Sequence, residues 1–176
     1  RDGAAVCCIV RDPRDSLLSL LSFPEAREVP RGPKFWSYWH RQYNNFLKFA
    51  ENSAYGYRIY FLRYEDFVRY PCQVKADYLR WLGLDVDPHK IDNTYSLPQT
   101  REFVLDKVYQ WKTINTSSMQ RWKHADLSDK NTARLLHGWR EHSEIRDLMA
   151  ELGYGKDGLI PPRIRPRNFR MFLPDD

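Results

Sequence analysis

A chain of 176 residues that is 42% hydrophobic and 15% aromatic carries enough apolar side chain for one sizeable core, so a disordered protein is excluded and a single domain over residues 1–176 is expected. Its 28 Lys and Arg against 23 Asp and Glu give a formal net charge of +5, a modest excess that suits an anionic small ligand or an acidic polymer. No run of about 18 apolar residues occurs, so no membrane-spanning helix is expected.

The apolar run at residues 4–10 predicts a buried strand, in which the adjacent Cys7 and Cys8 point to opposite faces and read as small buried residues. With Cys72 they make an odd count without metal-ligand spacing. The chain starts on Arg rather than Met and the strand begins almost at once, so a further segment upstream is expected. The strand stops at Arg11-Asp12-Pro13-Arg14, a helix start with Asp12 as N-cap, Pro13 as first helical residue and Asp15 as the acidic group three residues after the cap. Strand, tight turn and helix predict an anion site: first-turn amides point outward unpaired, Arg11 adds a cationic fork, and Ser19 follows two turns into the helix. Read locally, the same tetrapeptide is equally a capped helix with a surface ion pair.

A Pro-, Arg- and Glu-rich loop is expected at 24–33, then an amphipathic helix over 34–52 with Phe35, Trp39, Tyr43, Phe46, Leu47 and Ala50 on its buried stripe. Trp36, Tyr38 and His40 fall partly off that stripe and are candidates to touch a substrate, His40 also as a base. Residues 57–64 read as a second central strand closing on Tyr64-Glu65-Asp66. Adjacent residues face opposite ways there, so Asp66 is assigned to a helix cap and Glu65 to a structural hydrogen bond. After Pro71 a helix buries Val74, Tyr78, Leu79 and Leu82 and stops at Gly83. A loop over 85–97 and a weakly patterned helix over 99–112 lead to a Ser-rich loop and Arg121-Trp122-Lys123. Asn115-Thr116-Ser117 fits a glycosylation sequon, discounted because one such tripeptide is near chance.

A helix capped at Ser128-Asp129 directs Ala133, Leu135 and Leu136 inward, and a second from about residue 141 carries Ile145, Leu148, Met149 and Leu152 and ends at Gly153. His137 and His142 flank the break with no Cys or carboxylate at a useful spacing, so no metal site is expected. The Pro- and Arg-rich tail, 160–176, is expected to be extended and solvated.

Four ordered landmarks carry a resemblance. Arg11-Asp12-Pro13-Arg14 with Ser19 eight residues after Arg11 resembles the 3'-phosphate-binding motif of sulfotransferases that use 3'-phosphoadenosine 5'-phosphosulfate (PAPS). Tyr64-Glu65-Asp66, then Pro71 and Leu82-Gly83-Leu84, is similar to the segment after that motif. The loop leading to Arg121-Trp122-Lys123 resembles the family's second nucleotide-contacting segment, and Leu152-Gly153-Tyr154 the way such domains finish. The resemblance spans 4–154.

It implies an α/β fold, a P-loop NTPase-like parallel sheet flanked by helices, here lacking its N-terminal strand, loop and helix. It further implies that Arg11 and Ser19 hold the 3'-phosphate, that Tyr64 lies at the adenosine, and that Ser118 and Arg121 contact the 3'-phosphate or adenosine. Lys123 and His124 would be surface or acceptor-side groups. The implied chemistry is sulfuryl transfer from PAPS to a hydroxyl or amine, leaving 3'-phosphoadenosine 5'-phosphate. The loop at 24–33 and the basic tail point to an extended or acidic acceptor such as a glycan or acidic peptide, with small phenols and lipids open. Carbohydrate and tyrosyl-protein members are type II membrane proteins of the Golgi lumen and small-molecule members are cytosolic, so the compartment stays open.

The chain departs from the family pattern in three ways. It has no Arg-Lys-Gly in the second loop, no Gly-rich loop with Lys and Ser or Thr, and no candidate at the position of the usual base, which lies upstream of Arg11. The expected complement is therefore an N-terminal segment of the same domain. Two other classes stand beside this one: a basic nucleic-acid or polyanion-binding module, and a sulfotransferase-like remnant without catalysis.

Overall fold

The computed structural model describes residues 5–21, 34–51, 58–91, 116–117, 119–163 and 169–171; Asn115, Ser118, the loop expected at 24–33 and the helix expected at 99–112 lie outside them. β1 (Ala5–Val10) and β2 (Arg58–Arg63) pair in parallel with Val10 opposite Arg63, so both strands stop at one level. β2 is buried at every residue after Arg58, as a parallel strand covered on both faces must be. On one face Ile59 and Phe61 join Cys8 under Tyr43 and Leu47 of α2 (Lys34–Glu51). On the other, Tyr60 and Leu62 pack with Phe67 of a short α3 (Tyr64–Arg69) and with Val74, Tyr78 and Trp81 of α4 (Pro71–Trp81). Gly83, at φ +93°, stops α4 as predicted, and the Leu84 amide donates back to Leu79 at 3.0 Å.

Between β1 and α2 runs α1 (Pro13–Leu21), whose Leu17 enters the largest core cluster with Val10, Phe35, Trp36 and Trp39. That cluster closes on α5 (Lys130–His137), capped by Asp129 through the amides of Asn131 and Thr132, and on α6 (Ser143–Glu151). The second helix starts later than expected because a 3-10 turn occupies Gly138–Glu141. Short β3 (Tyr154–Gly155) and β4 (Gly158–Leu159) form an antiparallel pair after it.

Three expectations change. Trp36, assigned off the buried stripe, is 1% exposed and donates from Nε1 to the Leu135 carbonyl at 2.8 Å. It is core, because the turn after α5 widens the covered arc of α2. Phe46 is exposed instead, and the side chain of Ala50 is outside the described set. Cys8 and Cys7 do face opposite ways, but Cys7 is exposed on the outward row of β1 with Ala5 and Ile9, the last 59% exposed.

The tail also packs where solvation was expected: β5 (Phe169–Met171) adds to β2 in parallel, giving a three-stranded sheet in the order β1-β2-β5. Arg170 grips both oxygens of Asp77 on α4, the Nε to Oδ2 contact at 3.2 Å, and the buried Tyr60 hydroxyl donates to the same Oδ2 at 2.8 Å. The whole is an α/β arrangement, a parallel sheet flanked by helices. Because the Arg170 side chain is 56% exposed, Arg170→Ala is expected to lower global stability by no more than about 1 kcal/mol while amide exchange at 169–171 quickens relative to β1 and β2. Hydrogen exchange reads both quantities, and equal loss of protection in all three strands would count against this local view.

Candidate functional site

The parallel register brings the two charged strand ends side by side at the carboxyl edge of the sheet, where open α/β sheets gather their ligands. Arg11 follows Val10, Tyr64 follows Arg63, and the Arg11 guanidinium lies over the Tyr64 ring with its carbon 4.9 Å from the centroid. Both are part-buried. Tyr64 is the first residue of α3 rather than the last of the strand, so its ring is set by a helical turn.

Beneath this pair the helix start differs from the expected capping box. Asp12 is the N-cap, its Oδ1 accepting the Arg14 amide at 2.9 Å, but Asp15 does not reach back to it. The Asp12 amide instead donates to Oε1 of Glu65 at 2.9 Å, from 53 residues away. With Pro13 lacking an amide proton, three of the positions expected to present outward donors are accounted for within the chain, so the helix start itself is no ready-made anion hole. Cationic character at this edge comes from Arg11.

Asp15 does something else. Its carboxylate accepts the amides of Gln120 at 2.6 Å and Trp122 at 3.0 Å, tying the 3-10 turn Arg121–His124 to α1. Gln120 adopts φ +54°, which turns the chain so that both amides reach one carboxylate. Burial pushes the Asp15 carboxyl up despite these donors.

Arg14, 1% exposed, is the central strut. It forks onto Asp12, Nε to Oδ1 at 2.9 Å and Nη2 to Oδ2 at 2.8 Å, and donates to the Lys156 carbonyl at 3.0 Å. Its guanidinium carbon sits 3.7 Å from the centroid of Trp122. The second arginine of the motif is thus structural, whereas the first faces the edge.

Glu65 and Tyr154 complete the base. The Tyr154 hydroxyl lies 2.9 Å from Glu65 Oε2 and 3.2 Å from the Val10 carbonyl. Burial raises the Glu65 carboxyl above its usual range, and burial with Glu65 beside it holds the Tyr154 hydroxyl well above its own. Two acceptors face one hydroxyl proton, an arrangement that a protonated Glu65 satisfies in full by donating to Tyr154 while Tyr154 donates to Val10.

Glu65 therefore makes the structural hydrogen bond expected of it. Asp66 does not cap α3: it pairs with Arg63, whose Nε donates to Oδ2 at 2.6 Å. Arg63 also donates to the carbonyls of Ile160 at 3.0 Å and Gly153 at 3.4 Å. Gly153, at φ +88°, ends α6 where any Cβ would collide with that guanidinium, which is why the Leu-Gly-Tyr segment needs glycine.

Residues of the segments at 11–14, 64–66, 121–123 and 152–154 thus meet around the start of α1, whereas Leu82-Gly83-Leu84 serves to close α4. Of the residues singled out as ligand contacts, Arg11 and Tyr64 are in contact. Ser19 is part-buried in α1, some two turns beyond Arg11. Arg121 is exposed on a cleft of about 410 Å³ shared with Leu18, Met119, His124, Asp126 and Thr132; neither Arg11, Tyr64 nor Ser19 lines it. Ser118 lies outside the described residues. Sequence reasoning missed the roles of Arg14 and Asp15; the one signal was a carboxylate at the third helical position next to a proline start that leaves it little to cap.

Compared with family models, with curated proteins and with solved structures, the chain matches none.

Proposed function

We propose that this chain supplies the nucleotide end of a PAPS-dependent sulfotransferase, within a P-loop-like α/β sheet. The observation that carries it is the Arg11–Tyr64 pair at the carboxyl ends of two adjacent parallel strands. A guanidinium steadied on an aromatic ring is held as a planar, charged group of the kind that pairs with phosphate. Ser19 and Arg121 extend the proposed grip along α1 and the turn that Asp15 fastens to it. The chemistry is in-line displacement at sulfur: an acceptor hydroxyl or amine attacks, its proton passes to a base, and the S–O bond to 3'-phosphoadenosine 5'-phosphate breaks. Catalysis of this kind is chiefly positioning and charge stabilisation. This chain's share is to hold the departing nucleotide; the 5'-phosphosulfate loop and the base are expected from an N-terminal segment, and the acceptor from glycans or proteins.

The test is calorimetric binding of 3'-phosphoadenosine 5'-phosphate against 5'-AMP and a single-stranded oligonucleotide. Tight binding that requires the 3'-phosphate and weakens by about 2 to 3 kcal/mol in Arg11→Ala is expected. Unchanged affinity in Arg11→Ala removes the assignment. Binding of the oligonucleotide alone, with a steep salt dependence, replaces it with a polyanion-binding module.

A further inference from the structure

We infer that Glu65 and Tyr154 are positioning residues for Arg11, clamping the two peptide units on either side of it; their purpose, though not their geometry, rests on the donor-binding proposal. The direction of a side chain at its Cα is fixed by the rotation of the two flanking peptide planes. For Arg11 those planes carry the Val10 carbonyl and the Asp12 amide. The Val10 carbonyl lies 3.2 Å from the Tyr154 hydroxyl, and the Asp12 amide donates to Glu65 Oε1 at 2.9 Å. The two clamps are themselves joined, the Tyr154 hydroxyl 2.9 Å from Glu65 Oε2. Glu65 and Tyr154 are each 1% exposed, so neither touches a ligand and both are held by packing.

The ring beneath the guanidinium belongs to Tyr64, bonded directly to Glu65. One turn of α3 therefore supplies both the platform under the Arg11 head and the anchor of its backbone. Root and head of the side chain are referred to a single rigid element. A long cationic side chain otherwise loses much rotamer freedom when it closes on a phosphate. Clamping removes part of that loss before the ligand arrives.

Tyr154→Phe deletes only the hydroxyl and keeps the ring in the core. Glu65→Gln keeps an acceptor for the Asp12 amide and offers Tyr154 a donor. The ligand-free readout is NMR: Arg11 side-chain protons over the Tyr64 ring carry an upfield ring-current shift. In Tyr154→Phe that shift is expected to collapse toward the value of a solvated arginine, and the preference for 3'-phosphoadenosine 5'-phosphate over 5'-AMP to fall roughly 3- to 10-fold with 5'-AMP affinity unchanged. Glu65→Gln is expected to retain both.

An unmoved Arg11 shift in folded Tyr154→Phe overturns the clamp whatever the ligand does. Loss of the shift in Glu65→Gln does so too, since charge rather than the hydrogen-bond geometry would then be at work. A shift that moves while the wild-type protein shows no 3'-phosphate preference overturns the donor proposal and, with it, the purpose assigned to the clamp.

Discussion

Replacing Arg14 with alanine is expected to remove about 3 to 5 kcal/mol of stability, the cost of leaving one partner of a buried ion pair uncompensated. Asp12, 2% exposed, would lose the fork that spans both its oxygens, and the Lys156 carbonyl and the Trp122 ring would lose their contacts with the guanidinium. A domain of this size holds a total on the order of 5 to 15 kcal/mol, so the variant should melt far below the parent or fail to fold. Arg14→Lys should rescue little, because a point-like ammonium neither bridges two carboxylate oxygens nor stacks on indole. Chemical denaturation measures the difference. A loss under about 1 kcal/mol would mean that Asp12 is solvated after all, as in a surface ion pair.

The second large effect belongs to Glu65. Glu65→Ala leaves the Asp12 amide without its acceptor and takes away the carboxyl beside the Tyr154 hydroxyl, which at about 1 to 3 kcal/mol for each buried polar group amounts to roughly 2 to 6 kcal/mol. Glu65→Gln should behave differently, and the difference should depend on pH. Burial raises the folded-state pKa of Glu65 above its unfolded value, so between the two the native protein holds a proton that the unfolded chain has released. Stability from this group is therefore fully present below the ordinary carboxylate range and is lost as pH rises through the raised value. Gln cannot ionise, so its variant should lack this share of the decline and match or exceed the parent at neutral pH. Asp15 and Asp66, also raised by burial, keep their shares. Urea melts of parent, Gln and Ala forms at about pH 5 and about pH 7.5 test this, and parallel pH slopes for parent and Gln would refute it.

Much of the local framework was legible because it is written in short-range chemistry. Asp12 and Asp129 cap helices, Gly83 and Gly153 end them, and the branched and aromatic run around Phe61 is the central strand. What joins these pieces was not legible. Glu65 and Asp15 are buried acceptors for amides that lie 53, 105 and 107 positions away, and no periodicity encodes such a pairing. Trp36 was misassigned for a related reason: its stripe position depends on the chain around Leu135, not on the spacing within α2. Pro and Arg around residues 161–167 speak for an extended tail, and Phe169–Met171 is extended, yet these three residues suffice to pair with β2. Arg11 and Tyr64 belong to two separate motifs; that they touch follows from the strand register together with the helical turn that sets Tyr64, and neither motif encodes that.

The bonds around Arg11 also order the events of synthesis. A ribosome delivers Arg11, Ser19 and Tyr64 early, but the hydroxyl beside the Val10 carbonyl arrives 144 residues after it and the carbonyl that receives Arg14 comes 142 residues after that arginine. Until then Asp12 and Glu65 have incomplete partners, so the first half of the chain holds the recognisable motif without the means to set it. Completion of these bonds waits for the region around residues 154–160, with the loop-closure cost that such distant contacts impose. A nascent chain halted before that region presents the right letters and no lock.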